Sequence, residues 1–255
     1  APMSRQGVAL ALVVALLLVG FGLRTRHITA LPLYQDETYH LRRAGDVYRF
    51  ADNPIAYAHG KLLLYYWIGA FDPAYTEAGL ATARLSVALT GLLAAAGSAA
   101  LARALFGRGA ALLALALAIF SPYALFYDRL AMSDSPAAAL SVLAGWWTLA
   151  TIRRPTRRRG IVLGAIMALA LLAKLSTAPI LALPPLAALL FAPQGALLRQ
   201  RWARVRPALL PAAGMVLTVA AVYAIGAVEN ALSGRPQEPY DPELFELARG
   251  IDGFV

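Results

Sequence analysis

The chain has no cysteine, which excludes disulfides, thiolate metal sites and cysteine nucleophiles together. Charge is also scarce: 15% of the residues are Asp, Glu, Lys or Arg, against roughly 25% in an ordinary soluble domain. There is no glycine-rich phosphate loop and no histidine pair at the helical spacing of a zinc site. The three histidines, His27, His40 and His59, are too scattered to argue a metal centre. A divalent metal is neither indicated nor excluded, so the cofactor is unknown at this level. A serine with remote His and Asp partners, the nearest approach to a hydrolase signal, is something any chain this long supplies.

Apolar sequence is what the chain has in excess. Hydrophobic residues make up 60%, mean hydropathy is +0.61, and the excess falls in discrete blocks, as bilayer spans do. The net charge of +9 does not point to nucleic acid, because most arginines lie between apolar blocks, where they set membrane topology. Seven blocks stand out, at residues 7–23, 80–104, 109–127, 136–152, 160–174, 177–192 and 208–228. The expectation is an all-α integral membrane protein: one transmembrane domain over 1–255, about seven transmembrane helices, and interfacial helices in the first outer loop.

The first block follows Arg5 as a signal peptide would. It is succeeded by Arg24, Thr25 and Arg26 rather than a small-residue cleavage site, so it reads as a retained span. Residues 160–192 are too long for one crossing: as a single helix they would measure roughly 50 Å against a hydrocarbon core of about 30 Å. Arginines at 153, 154, 157, 158 and 159 precede this stretch, and others at 199, 201, 204 and 206 follow it. Both clusters belong inside by the positive-inside rule, so the stretch crosses twice, reversing around Lys174, Ser176 and Pro179.

With the N-terminus cytoplasmic, residues 24–79, the turn at 127–135 and the tail at 229–255 fall outside. Within the long outer loop, residues 37–50 have apolar positions at near-helical spacing. Residues 59–71, with Tyr65, Tyr66 and Trp67, suit a helix at headgroup level. The alanine-, leucine- and arginine-rich usage is that of a high-GC bacterium, which places the chain in a plasma (inner) membrane.

Three features on the outer side carry candidate chemistry. Asp36-Glu37 follows closely after the first span. Asp36 reads either as the N-cap of the next helix or as a base or metal ligand at the mouth of a membrane cavity, and a cap position holds a carboxylate rigidly enough for both. Cations gather on the same side: Arg42, Arg43, Lys61, Arg84, Arg129 and Lys174. Snorkelling explains any one of these; as a set they suit an anionic lipid headgroup. In the turn at 127–135, Asp128, Arg129 and Asp134 are loop chemistry or site chemistry, with Asp134 or Ser135 placed to cap the helix opening at Pro136.

Taken in order, these pieces resemble the GT-C membrane glycosyltransferases, the protein O-mannosyltransferases and the lipid A aminoarabinose transferase among them. The resemblance rests on Asp36-Glu37-Thr38-Tyr39, on His59-Gly60-Lys61 with Leu62 to Trp67, on Ala83-Arg84-Leu85-Ser86, on Leu105-Phe106-Gly107, on Arg129 to Asp134 and on Leu171-Leu172-Ala173-Lys174. It covers nearly the whole chain. Where those relatives carry a proline pair after the lysine, Leu62-Leu63 stands here. They also continue past the seventh span, so the chain is expected to be a minimal enzyme, a fragment or a core kept for another purpose.

The resemblance implies a polyprenyl-phosphate sugar as donor, bound within the bilayer, and an acceptor on the outer face. It makes Asp36 the candidate base, Glu37 its neighbour in the acceptor site and Asp134 a second acid. It makes Lys61 and Arg84 contacts to the lipid phosphate, with Arg129 and Lys174 among the outer cations available to it. The alternative is a non-catalytic subunit of the same descent that packs against other membrane subunits in a larger complex.

Overall fold

A computed structural model describes residues 4–48, 61–71, 76–191 and 198–232. His59 and Gly60, and the tail beyond 232, lie outside the described residues. Every regular element among the described residues is helical. In chain order they are α1 (Arg5–Thr25), α2 (Gln35–Tyr48), α3 (Leu62–Gly69), α4 (Glu77–Phe106), α5 (Arg108–Phe120), α6 (Pro122–Tyr127), α7 (Asp134–Arg153), α8 (Arg157–Ala173), a 3₁₀ segment (Leu175–Ala182), α9 (Leu183–Leu190) and α10 (Leu198–Leu232).

Four helices among the described residues, not seven, have the length and apolar composition of a membrane crossing. They are the Gly7–Thr25 part of α1, then α4, α7 and the Arg199–Val228 part of α10. The remaining blocks are broken for local reasons. The 109–127 block divides into α5 and α6 because Ser121 leaves helical geometry (ψ 119°), and its hydroxyl accepts from the Ala124 N–H to start a new helix with Pro122 in its first turn. The 160–192 stretch breaks at Lys174, which is extended (φ −165°, ψ 122°), and Pro179 then sits within a 3₁₀ turn. Helix α10 begins well before residue 208 and takes in Arg199 to Arg206, since arginine, alanine and leucine are all good helix formers.

The reversal at Lys174 is a change of direction in space. Lys174 lies beside Asp134, at the start of α7, whereas Ala187 and Ala188 of α9 pack with Ile152, near its end. Residues 175–190 therefore run back along α7. Arginines close the other end of the bundle by donating to carbonyls in the last turns of helices: Arg153 to Ala104, Arg159 to Ala150 and Arg201 to Leu189. The arginine-rich links thus share one end, opposite the Asp134–Lys174 end.

Small residues set the helix spacings. A Cβ on Gly160 would strike the Ala208 backbone, and one on Gly164 would lie 2.7 Å from the Ala212 Cα. Gly160 and Gly164 therefore form a small-residue seam against Ala208 and Ala212, along which α8 and α10 run parallel at backbone contact. Leu115 and Ile119 of α5 bury against Ala95 of α4, with Val13, Leu16 and Leu17 of α1 packed on them. On α1, Leu10, Leu12 and Leu18 remain exposed, as do Leu113 and Leu117 on α5 and Leu217 and Ile225 on α10, which is the outward face expected of lipid-facing helices.

Over the opposite end from the arginines, α2 and α3 form a cap. Leu41 and Ala44 of α2 and Leu64 and Ile68 of α3 bury against Ala83 and Val87 of α4 and against Ala131. Gly69 allows α3 to approach the Ala44 carbonyl of α2, and the Trp67 indole donates to the Ser86 carbonyl of α4.

Replacing Gly160 by leucine should cost the purified chain about 1–3 kcal/mol of stability, seen as a lower Tm in detergent. Gly214→Ala, where an added Cβ meets nothing within 4 Å, should be neutral or slightly stabilising. Equal melting of both variants would remove the seam from the account.

Candidate functional site

The first turn of α2 separates two adjacent carboxylates. The helix opens at Gln35, so the cap position belongs to Tyr34, not Asp36. Glu37 reaches back to accept from the Tyr34 N–H (3.0 Å), the return half of a capping box. Its side chain points inward and is fully buried, whereas Asp36, one residue earlier, is exposed.

Glu37 is saturated. Oε1 accepts from Arg84 Nε (2.9 Å) and the Ala131 N–H (2.7 Å); Oε2 accepts from Arg84 Nη2 (2.6 Å) as well as from Tyr34. Arg84 is saturated too, because its other N–H groups donate to the carbonyls of Ile28, Leu31 and Pro32. Arg84 is 0% exposed. Glu37 and Arg84, expected in the acceptor site and on the lipid phosphate, thus form a closed fork-to-fork pair. A phosphate would reach Arg84 only by displacing both carboxylate oxygens and three carbonyls. The geometry makes the pair the anchor of the cap, tying α2 and the chain after α1 to α4.

A second buried pair holds the 127–135 turn. Arg24 Nε donates to Asp128 Oδ2 (2.8 Å), and Ser135 donates to the other carboxylate oxygen. A Cβ at Gly91 would overlap the Asp128 carboxyl, so glycine there makes room for it. Arg129 donates through Nη2 to the Arg26 and His27 carbonyls (3.0 and 2.7 Å), which fixes the chain where it leaves α1 at His27 (φ 49°). Neither Asp134 nor Ser135 caps α7: the cap position is Ser133, with no side-chain cap bond, and Ser135 is committed to Asp128.

What remains is an open cluster on one end of the bundle. Asp36 is exposed, while Lys61, Asp134 and Lys174 are half-buried. Lys174 Nζ meets Asp134 Oδ1 at 2.7 Å. Lys61, at the start of α3, meets His40 Nε2 at 2.9 Å. The other ring nitrogen of His40, Nδ1, lies 3.0 Å from the Ala131 carbonyl. A carbonyl only accepts, so Nδ1 carries the hydrogen and Nε2 is the acceptor for the Lys61 ammonium. His40 is therefore the neutral Nδ1–H tautomer.

The electrostatics agree with this tautomer. Burial first, and the Lys61 charge second, lower the His40 pKa to about 4, against the Ala131 bond and the Asp36 and Asp134 carboxylates, which raise it. Burial also holds the Lys61 ammonium below its usual 10.5, with Lys174 adding to the lowering and Asp36 and Asp134 opposing it. Asp36, His40, Lys61, Asp134 and Lys174 thus share one field. Of the expected site residues, Asp134 and Lys174 meet directly, and Asp36 and Lys61 lie within electrostatic reach of one another and of that pair. Glu37 and Arg84 bond each other instead, and Arg129 gives Nη2 to backbone while its buried Nε has no partner. His40 was missed as part of the site, although its spacing from Asp36 (i, i+4) already put both on one face of a helix. Among the described residues, no three His, Asp or Glu side chains gather as metal ligands.

A sequence model of the family described as dolichyl-phosphate-mannose-protein mannosyltransferase matches residues 59–225, well over half of the chain. Lys61, Arg84, Asp134 and Lys174 lie inside the matched region; Asp36, Glu37 and His40 precede it. No curated protein and no solved structure matches the chain.

Removing one member of a buried ion pair leaves the other uncompensated. Glu37→Leu or Arg84→Leu should each therefore cost about 3–5 kcal/mol, read as a large fall in Tm, whereas Asp36→Asn should leave Tm unchanged. For His40 the sign is set by a folded pKa below the unfolded 6.5. The unfolded chain binds the extra proton first, so this residue's contribution to stability is intact above pH 6.5 and is lost as pH falls toward about 4. A melting series across that window should flatten in His40→Gln.

Proposed function

The chain belongs to the dolichyl-phosphate-mannose-protein mannosyltransferase family, and from that premise we propose that it is an integral membrane enzyme transferring a sugar from a polyprenyl-phosphate donor to an acceptor outside the membrane. One observation carries this reading. An exposed carboxylate, Asp36, lies within electrostatic reach of the Lys61 ammonium, which also feels Lys174 and its partner Asp134, at the end of the bundle opposite the arginine-rich links. Transfer from a lipid phosphate needs a base for the acceptor and cations for the departing phosphate, on the face away from the positive-inside end.

In this reading the acceptor hydroxyl gives its proton to Asp36 as its oxygen attacks the anomeric carbon. The bond between that carbon and the phosphate oxygen breaks, and polyprenyl phosphate leaves with its electron pair. Lys61 and Lys174 stabilise the negative charge left on the phosphate. Asp134, on Lys174 at 2.7 Å, holds that lysine when the site is free of anion. Glu37 and Arg84 take no part in the chemistry: they hold the first turn of α2 so that Asp36 faces the cluster. The apolar faces of the surrounding helices offer the isoprenoid tail a place beside the headgroup.

The test is transfer of radiolabelled sugar in reconstituted membranes from a panel of polyprenyl-phosphate donors, beginning with dolichyl-phosphate mannose, the donor in the family's description. Asp36→Asn should lower the rate at least about 10²-fold with Tm unchanged. Transfer that survives the substitution would remove Asp36 as the base. No transfer from any donor by the wild-type chain would replace the enzyme reading with that of a non-catalytic subunit.

A further inference from the structure

We propose that His40 is a positioning residue for Lys61: its ring, held in one tautomer by the Ala131 carbonyl, presents Nε2 as the acceptor that aims the Lys61 ammonium at an anionic headgroup. The inference rests on the reading of the cluster as a lipid-phosphate site and adds to it the part that makes a flexible lysine into a fixed contact.

The geometry leaves the ring little freedom. His40 is fully buried, and the rings of Tyr39 and Tyr65 stand 6.2 and 6.0 Å away, centroid to centroid. Ala131, whose carbonyl takes the Nδ1 hydrogen, gives its own N–H to Glu37. The position of the histidine is thereby tied to the Glu37–Arg84 pair.

A lysine has a mobile four-carbon stem and a strongly hydrated charge, and it loses rotamer freedom when it binds. An acceptor that holds Nζ beforehand removes that cost from headgroup binding. A neutral imidazole suits the task better than a carboxylate, because it holds the ammonium without cancelling its charge. Lys174, by contrast, sits on Asp134. The two lysines are therefore different contacts: Lys61 is held by a neutral acceptor, while Lys174 must leave a carboxylate.

Protonation would reverse the arrangement. The groups around the ring are Lys61, Asp36 and Asp134, together with Tyr39, Tyr65 and the Ala131 carbonyl. Of the charged groups, only the two carboxylates favour a charged imidazole, and burial outweighs them.

The experiment measures binding of dolichyl phosphate to the full chain in detergent micelles, using His40→Gln, His40→Asn, His40→Phe, Lys61→Met and the double variant that combines His40→Phe with Lys61→Met. A glutamine amide oxygen falls near Nε2 and keeps the acceptor for Lys61; an asparagine amide nitrogen falls near Nδ1 and keeps only the bond to Ala131. Positioning predicts that Lys61→Met and His40→Phe each weaken binding about ten- to a hundredfold, the scale of a single hydrogen bond to a charged group. It also predicts that the double variant is no weaker than Lys61→Met, that glutamine restores binding, and that asparagine does not.

Losses that add in the double variant, or rescue by asparagine in preference to glutamine, overturn the inference, since a structural role alone would give those results. If Lys61→Met weakens binding and His40→Phe does not, the inference falls and the headgroup site stands. If Lys61→Met binds as the wild type does, the headgroup reading fails at Lys61 and the inference fails with it.

Discussion

The Glu37–Arg84 pair is the constraint on which the capped half of the molecule depends. Its energy is not the main point, since a buried ion pair gains little over well-packed apolar groups. What it supplies is address. Arg84 sits on α4, Glu37 on α2, and between them they bind the backbone at Ile28, Leu31, Pro32, Tyr34 and Ala131. Each of those contacts fixes a segment that carries or touches a member of the open cluster. Because α2 starts at that pair, Glu37 fixes the helical turn that carries Asp36. Because Ala131 is held there, the tautomer of His40 is set as well. A polar knot with every donor and acceptor matched is what holds the helix ends that carry the site rigidly against one another.

The site's chemistry is a sorting of like residues by surroundings. Neighbouring carboxylates, Asp36 and Glu37, differ in that one faces outward and the other is enclosed by N–H donors from Arg84, Tyr34 and Ala131. Arginines and lysines sort the same way. The guanidinium groups of Arg24, Arg84 and Arg129 are engaged with carboxylates or backbone carbonyls, which their planar forks match well, while the compact ammonium groups of Lys61 and Lys174 stand in the open cluster. This division follows from the two cations' hydrogen-bonding geometry, and it separates the framework from the reactive surface.

Composition and charge made much of this legible. The helical class and the break at Lys174 followed from block hydropathy and from arginine clusters at either side of 160–192. Span count did not follow, because hydropathy windows do not see the Ser121-Pro122 restart or the extended backbone at Lys174. The roles of Glu37 and Arg84 were also out of reach. A carboxylate next to Asp36 and a cation beside a span look like site residues until their partners are known, and the distant ones lie 47 to 94 residues away in the chain. Asp128 was passed over for the same reason: its arginine is 104 residues distant. Local rules reached only as far as local contacts: they offered Asp134 a cap position, and its actual partner is a lysine 40 residues on.

That separation of Arg24 from Asp128 bears on how the chain is made. Synthesis runs from the N-terminus, so α1 exists, with its arginine at the end, long before its counter-ion has been translated. A charge of that kind resists deep entry into lipid and stays at the water boundary by extending its side chain. Only after α4, α5 and α6 have been laid down does Asp128 arrive opposite Gly91 to meet that charge. The helix made first thus receives its counter-ion only once 104 further residues have followed.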